Sequence, residues 1–488
     1  MKNIFLLSIL MAFSSCVQKN TSPSWTSDME TRLENMADSL TCNLKPWNVP
    51  DSVFLVETYG AKADGVTLNT AQIQSAIDAC SNSGGGTVLL SKGDYVTGTI
   101  IIKSGVMLEV SENSRLLGST DIKDYPDMIE DFKSVMSENH RFRQSLIFAE
   151  KANNIGICGK GEIYFRGEKK HFSSPQTVGP IKDRPMGIRM VECENIVVKD
   201  IFLHNSASWM QNYIACNNLI FDGIKVINQA NFNNDGLDPD GCRNVIVRNC
   251  FINSEDDAMC LKGGSGLPTE NVLIENSTFV STCNAFKLGT DTQGDFRNVV
   301  IRNVTLGGVP DDMVSISGHE SSTGLTLATV DGGNAENILI EDIRINQSRC
   351  PIFIRIGDRC RVMPGQSKPS PGYLKNIIIK SVDGSRNLRQ GSMISGIPGH
   401  RIKNVYLKDI TLGMIGGGTE EMAKREVPEN TAGYPDAHQF NVDGLPAFGF
   451  FIRHSENICF DNVKVNAENS DERKEFVLDV DNANIIIK

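Results

Sequence analysis

The sequence predicts an all-β protein, namely a right-handed parallel β-helix whose N-terminal end is capped by a helix. Two observations favour this fold. A short unit that begins with Asn and continues with alternating apolar residues recurs along the chain, and many successive asparagines are 23–28 residues apart. That spacing fits one coil of a solenoid, and the longer spacings fit a coil with a surface loop. The repeating asparagines are Asn154, Asn195, Asn218, Asn244, Asn271, Asn298, Asn337, Asn376, Asn404 and Asn457.

The register of these asparagines separates a β-helix from other all-β folds. In each coil the alternate apolar residues would fill the inside of the tube, and the Asn amide at the bend would hydrogen-bond to the next coil. A β-propeller or a β-sandwich explains the alternation, but neither explains the asparagine register or units this short. A chain of 488 residues is long enough for two or three globular domains, but the repeat predicts one long solenoid.

The first sixteen residues have the pattern of an export signal. Lys2 supplies a positive start, Ile4–Phe13 form an apolar stretch too short to span a bilayer, and two serines precede Cys16. This arrangement resembles a bacterial lipoprotein signal, in which that Cys is lipidated and becomes the new first residue. We therefore expect residues 1–16 to be a lipoprotein-type signal with Cys16 as the lipidated residue. The protein would then be exported to the periplasm or the outer membrane of a Gram-negative bacterium. Plain secretion and a structural N-terminal helix are the alternatives.

The next segments predict a linker or cap, a capping helix and the first strands. Residues 17–50 are polar and are expected to form a linker or N-terminal cap, whereas residues 51–488 are expected to form the β-helix domain. Apolar residues at helical spacing predict the second helix, which Gly84–Gly86 would end. The expected elements are helices Met29–Leu40 and Thr70–Ser81 and strands Thr87–Leu90, Thr99–Ile102 and Met107–Val110.

Composition and cysteine usage narrow the class of partner. The chain has 48 Lys and Arg against 59 Asp and Glu, and the net charge of −11 argues against nucleic acid as the main partner. Six of the twelve cysteines after Cys16 lie in or beside apolar strand-like runs, where Cys acts as a small buried apolar residue; they are Cys158, Cys193, Cys216, Cys250, Cys260 and Cys459. Cys350 and Cys360 are close enough in sequence to bridge a loop. Since no Cys or His cluster has metal-ligand spacing, we expect neither a metal nor a cofactor.

The densest acidic cluster lies in two neighbouring coils. Asn233 and Asn234 precede Asp235, and Asp256 and Asp257 follow 21 and 22 residues later. Because this separation is close to one coil, we expect the acidic residues to lie on adjacent rungs whose backbones are about 4.8 Å apart. Crowded carboxylates repel one another and raise at least one pKa, which suits glycoside hydrolysis because that reaction needs a protonated acid beside an ionised partner. A solvated acidic face or a calcium site is the alternative interpretation.

These motifs resemble the polygalacturonases of glycoside hydrolase family 28, over roughly residues 53–466. The resemblance implies an inverting glycoside hydrolase of pectic polysaccharide, galacturonan or rhamnogalacturonan in type, with residues 51–488 as its catalytic domain. It also implies that Asp256 is the general acid and that Asp235 and Asp257 position and deprotonate water. Asn233 and Lys262, which belong to the two acidic runs, are expected to bind substrate. The β-helix is expected to act as a monomer.

Two motifs of that family are altered in this chain. The segment Cys283-Asn284-Ala285 stands where the family has Gly-His-Gly, and Arg355-Ile356-Gly357 stands where it has Arg-Ile-Lys. We expect Asn284, Lys287 and Arg355 to bind substrate, with Lys287 facing outward to meet a uronate carboxylate and Arg355 making a bidentate contact with one. The changes resemble a bacterial branch of the family, for which a branched or rhamnose-containing pectin is a reasonable substrate.

The remaining candidates and the competing functions are less sharply defined. Trp209 and Phe286 are candidates for stacking on a sugar face, and the loop Tyr434–Phe451 is long enough to wall a cleft. Four scattered histidines are expected to be structural, although His400 has a position from which it can approach the cleft; they are His204, His319, His400 and His454. The competing functions are a calcium-dependent pectate-type lyase and a non-catalytic glycan-binding β-helix.

Overall fold

The computed structural model describes residues 22–128, 131–135, 143–173 and 184–488. The predicted signal segment 1–16, including Cys16, lies outside the described residues. None of the helices in the described ranges combines the length and the apolar character needed to cross a lipid bilayer.

The predicted right-handed parallel β-helix is confirmed. Its strands form three sheets of 21, 5 and 7 strands, and the pairings between neighbouring strands are parallel. The two smaller sheets follow one another along the solenoid, because the isolated parallel bridges Leu237–Met259 and Asp240–Lys262 join the last strand of one to the first strand of the other. The acidic residues predicted to carry the chemistry lie at this junction.

The helices are α1 Thr26–Asn43, α2 Thr70–Asn82 and α3 Glu420–Ala423. The first seventeen strands are β1 Val53–Leu55, β2 Asp64–Leu68, β3 Gly86–Leu90, β4 Gly93–Thr97, β5 Ile100–Ile101, β6 Val106–Val110, β7 Ser114–Gly118, β8 Ser145–Glu150, β9 Asn153–Cys158, β10 Glu162–Tyr164, β11 Met186–Val191, β12 Glu194–Lys199, β13 Phe202–His204, β14 Gln211–Ile214, β15 Asn217–Asp222, β16 Lys225–Asn228 and β17 Asp238–Asp240. The other strands are β18 Arg243–Arg248, β19 Phe251–Ser254, β20 Met259–Leu261, β21 Thr269–Ser281, β22 Asn284–Leu288, β23 Phe296–Gly307, β24 Ser321–Thr329, β25 Ala335–Asn346, β26 Ser348–Ile356, β27 Leu374–Asn387, β28 Ser392–Ser395, β29 Ile402–Gly416, β30 Ala447–Arg453, β31 Ser455–Asn469, β32 Lys474–Leu478 and β33 Asn482–Ile487.

The repeating asparagines stack into a ladder, which we call the asparagine column. All ten have a positive φ of 55–60°, a conformation that Asn tolerates better than other residues with a side chain. The amide of each donates to the amide oxygen of the Asn on the preceding coil at most steps, as in Asn271 to Asn244 and Asn298 to Asn271, both at 3.2 Å. The sequence register therefore reflects both a backbone bend and the hydrogen bonds that join most neighbouring asparagines.

Apolar side chains fill the tube along its whole length, as the alternation predicts. The six cysteines that were expected to be buried in apolar surroundings are buried; they are Cys158, Cys193, Cys216, Cys250, Cys260 and Cys459. Cys350 and Cys360 are both free thiols, so the disulfide considered between them is not formed.

The second helix caps the N-terminal end of the tube, as predicted. Its apolar face buries Ile73, Ala76, Ile77 and Cys80, and the helix packs against β1, β3 and β5. The strands that were expected after it are present, although the predicted Thr99–Ile102 is reduced to a two-residue strand.

The first helix is longer than predicted and lies on the side of the solenoid. Met29, Leu33, Ala37 and Leu40 recur every three or four residues and are buried. They pack on the outward-facing apolar residues of seven successive coils, which are Ile246, Leu273, Val300, Leu339, Ile378, Tyr406 and Cys459. Lys380 of one such coil pairs with Glu30. The expectation of a linker or an end cap at residues 17–50 therefore misses this side-on docking.

Candidate active site

One buried amide shapes the loop that carries Asp235. The Asn234 side chain accepts hydrogen bonds from the backbone N–H groups of Ala230 and Asn231 and donates to the carbonyl oxygens of Ser206 and Ser208. These bonds satisfy the amide completely inside the protein. Asn234 is therefore committed to the loop, and its two neighbours in sequence are free to face the cavity.

Gly236, the residue after Asp235, must be a glycine for the coils to stack. A Cβ on Gly236 would lie 2.3 Å from Ile252 Cγ2 and 2.4 Å from the carbonyl oxygen of Ala258. The backbone N–H of Gly236 donates to the carbonyl oxygen of Asp257 at 2.9 Å. This close approach places Asp235 against Asp257 of the next coil.

Strand register builds a second polar column beside the tube. Leu237 pairs with Met259, Met259 pairs with Phe286, and Asn284 pairs with Thr323. The same offsets put four polar residues on successive rungs, and we call them the carboxylate column: Asp235, Asp257, Asn284 and Thr323. The predicted placement of the acidic residues on adjacent rungs is confirmed, with Asp257 directly in register with Asp235.

A cavity of about 280 Å³ opens over this column. Its lining includes the three predicted carboxylates Asp235, Asp256 and Asp257, a fourth carboxylate, two aromatic residues and two cationic side chains. The complete lining is Trp209, Asn233, Asp235, Asp256, Asp257, Lys262, Thr290, Asp291, Arg361 and Tyr434.

The Asp256 carboxyl group is held at the cavity wall. Its Oδ1 accepts the backbone N–H of Asp257 at 2.9 Å, and its Oδ2 accepts the amide of Asn233 at 3.3 Å. Asn233 is itself fixed by Arg184, which donates to its Oδ1 at 2.9 Å. Burial, and then the neighbouring Asp257 carboxylate, raise the pKa of Asp256 above its ordinary value.

Asp257 is shifted in the opposite direction. Burial alone would raise its pKa, but the cations of Lys287 and Lys262 and the hydrogen bond from Asn284 hold the pKa below its ordinary value. Lys287 Nζ lies 3.1 Å from Asp257 Oδ2, and Asn284 donates to Oδ1 at 2.5 Å. Two adjacent residues of one chain thus present one carboxyl group that favours its proton and one that favours ionisation.

The third carboxylate shares a buried lysine with a fourth. Lys262 Nζ lies 3.3 Å from Asp235 Oδ2 and 3.8 Å from Asp238 Oδ1, and it sits 4.3 Å above the centre of the Trp209 ring. Burial and then the charge of Asp238 raise the pKa of Asp235 well above its ordinary value in spite of this lysine. Asp235 Oδ1 is buried without a hydrogen-bond partner. An acceptor in this state is suited to bind a donor such as water or a sugar hydroxyl.

Comparison with known proteins places this geometry in a family. Residues 80–433 match the family described as Glycosyl hydrolases family 28, and the match covers well over half of the 488 residues. The chain belongs to glycosyl hydrolase family 28.

Individual relatives agree with the family match. A probable polygalacturonase of Vitis vinifera is 27% identical over 266 residues, which are 49% of this chain and 52% of the plant protein. An exo-poly-alpha-D-galacturonosidase of Dickeya chrysanthemi is 27% identical over 320 residues, which are 54% of this chain and 52% of that protein. The chain therefore spans about half the length of these two relatives. An exopolygalacturonase from Thermotoga maritima has the same fold, with a TM-score of 0.66 and 18% identity over 89% of this chain and 96% of that one.

The altered third motif of this family 28 chain was expected to bind substrate, but its residues do not line the cavity. Asn284 is fully buried, and its amide is used by Asp257 on one side and by Thr323, which donates to Asn284 Oδ1 at 2.5 Å, on the other. Lys287 was expected to face outward, but its side chain is 1% exposed and lies between Asp257 and Asp436. The expectation was wrong because the loop after β29 covers Lys287 on β22, and nothing in the sequence near Lys287 indicates that contact.

The altered fourth motif lies elsewhere. Arg355 is 1% exposed and donates to Ser395 Oγ and to the carbonyl oxygens of Glu429 and Asn430, with its guanidinium 4.5 Å above the Phe440 ring. It does not line the cavity. The expected bidentate contact of Arg355 with a substrate carboxylate is therefore wrong, since this guanidinium holds the loop after β29 in place.

Other sequence candidates divide clearly. Trp209 lines the cavity, and Tyr434 at the start of the predicted wall does so as well, whereas Phe286 is buried in the core. The histidines lie outside the cavity lining, in agreement with a structural role. His204 stacks on Tyr164, and His454 lies between Glu429 and Asp481.

Four residues near the site were missed from the sequence: Thr290, Asp291, Arg361 and Asp436. Arg361 follows β26 by five residues and forms an ion pair with Asp291, which itself follows β22. Asp436 comes from the loop after β29 and pairs with Lys287. No local motif marks these residues, because their contacts join coils that are 70–149 residues apart.

Two groups of side chains in the described ranges bring enough acidic or sulfur ligands together to hold a cation. Asp256, Asp257 and Cys283 place one ligand atom each within 4.8 Å of the others, and so do Glu30 and Glu34 of α1 with Glu341 of β25. Lys287 already balances Asp257, and Lys380 already pairs with Glu30 and Glu341. A lysine ammonium group thus already neutralises part of the charge of each cluster, so neither set of ligand atoms requires a metal ion.

Proposed function

We propose that this family 28 chain is an inverting glycoside hydrolase that cleaves glycosidic bonds in pectic polysaccharide. Asp256 would be the general acid that protonates the leaving oxygen. Asp257 would deprotonate the attacking water, and Asp235 would orient that water through its unpartnered oxygen. This division of work follows the requirement for one protonated and one ionised carboxyl group on opposite sides of the scissile bond.

One observation carries the proposal. The pKa of Asp256 is raised by burial and by its neighbour, while the pKa of Asp257 is lowered by two lysines and an amide, within the same cavity. Titratable pairs whose environments separate their pKa values in this way are typical of acid and base roles. A solvated acidic face would not bury its carboxylates or surround them with matched cations.

The lining also supports an acidic sugar as substrate. Lys262 and Arg361 contribute cationic side chains to the cavity lining, and Trp209 and Tyr434 contribute aromatic rings that can pack on a sugar ring. A uronate carboxylate bound there would approach Arg361, whose planar guanidinium matches a carboxylate. Arg361 is thus proposed in place of Arg355, and Arg361→Gln should raise KM for galacturonan more than it lowers kcat.

Substitution of the proposed acid tests the function directly. Purified wild-type and Asp256→Asn chains are incubated with homogalacturonan, rhamnogalacturonan and xylogalacturonan, and the products are followed by reducing-end assay and proton NMR. We expect the wild type to release products with inverted anomeric configuration and the variant to lose at least about a hundredfold in kcat. Asp443→Asn, in a loop outside the cavity lining, is the control.

Three outcomes would contradict the proposal. An unsaturated product that absorbs in the ultraviolet, lost on addition of a chelator, would indicate the lyase alternative. Binding of pectin without any product would indicate a glycan-binding solenoid. An Asp256→Asn variant with wild-type kcat would remove the acid assignment, whichever polysaccharide is cleaved.

Export and assembly are proposed on the sequence alone. We propose that residues 1–16 direct export and that Cys16 is lipidated, so that the protein is tethered in the periplasm or at the outer membrane. Labelling of the full chain with a radioactive fatty acid in a Gram-negative host tests this, and Cys16→Ser should abolish the label. We propose that the protein is a monomer, which light scattering on a size-exclusion column measures.

A further inference from the structure

A lysine is buried beneath the cavity with its charge fully matched. Lys287 lies on β22, is 1% exposed, and places its Nζ 3.1 Å from Asp257 Oδ2 and 2.8 Å from Asp436 Oδ1. An ammonium group at this depth costs several kcal/mol unless it is paired. Lys287 therefore depends on both carboxylates, and each carboxylate is in turn fixed by it.

The two carboxylates come from parts of the chain that are far apart. Asp257 belongs to the coil below Lys287, whereas Asp436 lies in the loop between β29 and β30, 149 residues from Lys287 in sequence. That loop is firmly attached, because the amide of Gln390 donates to the carbonyl oxygens of Ala437 at 2.6 Å and Phe440 at 2.8 Å. Ala437 and Phe440 are also buried in an apolar cluster against the outer face of the sheet.

The surroundings of Asp257 leave Lys287 as its nearest cation. Asn284 takes the other carboxylate oxygen, and Lys262 is occupied by Asp235 and Asp238 at 3.3 and 3.8 Å. The ionisable groups that act on Asp257, Asp256 or Lys287 from the packed elements include Asp235, Asp238, Glu255, Asp256, Cys260, Lys262, Cys283, Tyr434 and Asp436. Apart from Lys262 and Lys287 these groups are acids, so the loss of Lys287 would leave Asp257 in a strongly negative environment.

We propose that Lys287 is a positioning residue that keeps Asp257 ionised and oriented for deprotonating water, and that Asp436 holds Lys287 in this place. The inference rests on the proposed hydrolytic function and deepens it. It assigns to Lys287 and Asp436 the task of supplying a fixed charge beside the carboxylates in a chain whose third motif has Asn284 instead of a histidine. It also explains why Lys287 is buried instead of facing a substrate.

The pH dependence of kcat separates this role from a structural one. The acidic limb reports ionisation of the base and the basic limb reports loss of the proton from the acid, each as a macroscopic value of the coupled pair. Lys287 lowers the pKa of both Asp257 and Asp256, so Lys287→Met should move both limbs to higher pH, the acidic limb by about one unit or more. Asp436 raises the pKa of Asp256, so Asp436→Asn should move the basic limb to lower pH.

A matched control breaks a buried ion pair outside the cavity. Arg473 and Asp471 are 0% and 1% exposed and pair at 2.8 Å, and neither lines the cavity. Arg473→Met should lower the midpoint of urea unfolding and leave both limbs where they are. The double variant Lys287→Met/Asp436→Asn removes two opposite charges together, which keeps the experiment informative if the single lysine variant does not fold.

A second measurement does not depend on hydrolysis. Carbon-13 NMR of protein labelled at the aspartate carboxyl carbons follows each titration directly, and Asp257→Asn identifies the signal of Asp257. We expect this signal to titrate below the ordinary aspartate range in the wild type and at least one unit higher in Lys287→Met. The proposal is overturned if the Asp257 titration is the same in both proteins, or if the lysine variants lower kcat without moving either limb. A hydrolytically inactive wild type with a shifted Asp257 signal would reject the proposed function but keep the charge assignment.

Discussion

Two polar columns run along this solenoid. One repeats a single residue type from coil to coil, and the other has a different side chain or a different environment on each coil. The asparagine column repeats the same residue, with nearly the same positive φ, from Asn154 to Asn457, and at most steps the amide donates to the Asn of the preceding coil. The carboxylate column changes at every rung, from Asp235 to Asp257, Asn284 and Thr323. Repetition pairs amide with amide along the first column, whereas variation in the second leaves charged groups and an unpartnered carboxylate oxygen of Asp235 at a cavity. The first column stabilises the fold, and the second is proposed to perform the chemistry.

Removing the charge in the middle of the carboxylate column should have the largest effect on activity. Asp257→Asn keeps the shape of the side chain but removes the proposed base, so kcat on the best pectic substrate should fall by about a hundredfold to ten-thousandfold. The free energy of unfolding should fall as well, because the variant leaves the buried ammonium group of Lys287 with Asp436 as its one remaining ion-pair partner. Kinetics and urea unfolding of the same preparation measure both. Undiminished kcat would mean that the second column is structural, like the first.

The pH profile of the wild type tests the charge asymmetry of the column without mutation. Because the pKa of Asp257 is lowered, the acidic limb of kcat should lie below the ordinary aspartate value of about 3.9. Because the pKa of Asp256 is raised, the basic limb should lie above that value, with activity falling about tenfold per pH unit beyond it. A profile in which both limbs lie on the same side of 3.9 would contradict the assignment of acid and base.

The top of the carboxylate column should contribute less. Thr323 donates to Asn284 Oδ1, and Asn284 donates to Asp257, so Thr323→Val should loosen the amide and raise the pKa of Asp257 slightly. We expect kcat to fall by less than about tenfold, with a small move of the acidic limb to higher pH. Thr323→Ser retains the hydroxyl and is the control. Equal kinetics of the Val and Ser variants would remove Thr323 from the column.

A substitution in the asparagine column should leave kcat unchanged and lower stability modestly. Asn271→Ala loses hydrogen bonds to Asn244 and Asn298 and puts Ala at a φ of 56°, which should cost about 1–3 kcal/mol in the free energy of unfolding. Gly adopts a positive φ without strain, so Asn271→Gly should lower the free energy of unfolding less than the Ala variant does. Urea unfolding measures the difference. A large loss of activity at unchanged stability would break the distinction between the two columns.

The sequence predicts the repeated parts of the molecule far better than the varied ones. The asparagine register, the alternating core and the adjacent rungs of Asp235 and Asp257 follow from periods that are visible in the chain itself. The placement of Lys287 and Arg355 was wrong because burial there is decided by the loop after β29, which crosses to β22 and β26. A contact between such a loop and a distant strand produces no periodic pattern in the sequence. The sequence around a charged residue that a loop covers is therefore the same as around one on the surface.

The site shows the same division. Asp235, Asp256 and Asp257 were located from two local motifs, and the structure brings them into one cavity. Arg361 and Asp436 are held near the cavity by ion pairs with Asp291 and Lys287 respectively. Because each pair joins distant segments, no single segment of the sequence predicts that these residues belong to the site. The helix at the side was recognised as a helix from its apolar spacing, but its docking surface consists of seven separate coils.

That docking surface sets an order for folding. Coils of a solenoid contact mainly their neighbours and can add one after another. Helix α1 contacts residues from Ile246 to Cys459, so its binding face is complete only when most of the chain has been synthesised and coiled. The energy of its docking arrives after a long loop has closed. Helix α1 can therefore dock completely only after the seven coils that carry these residues have formed, and it then holds them together along one side of the solenoid.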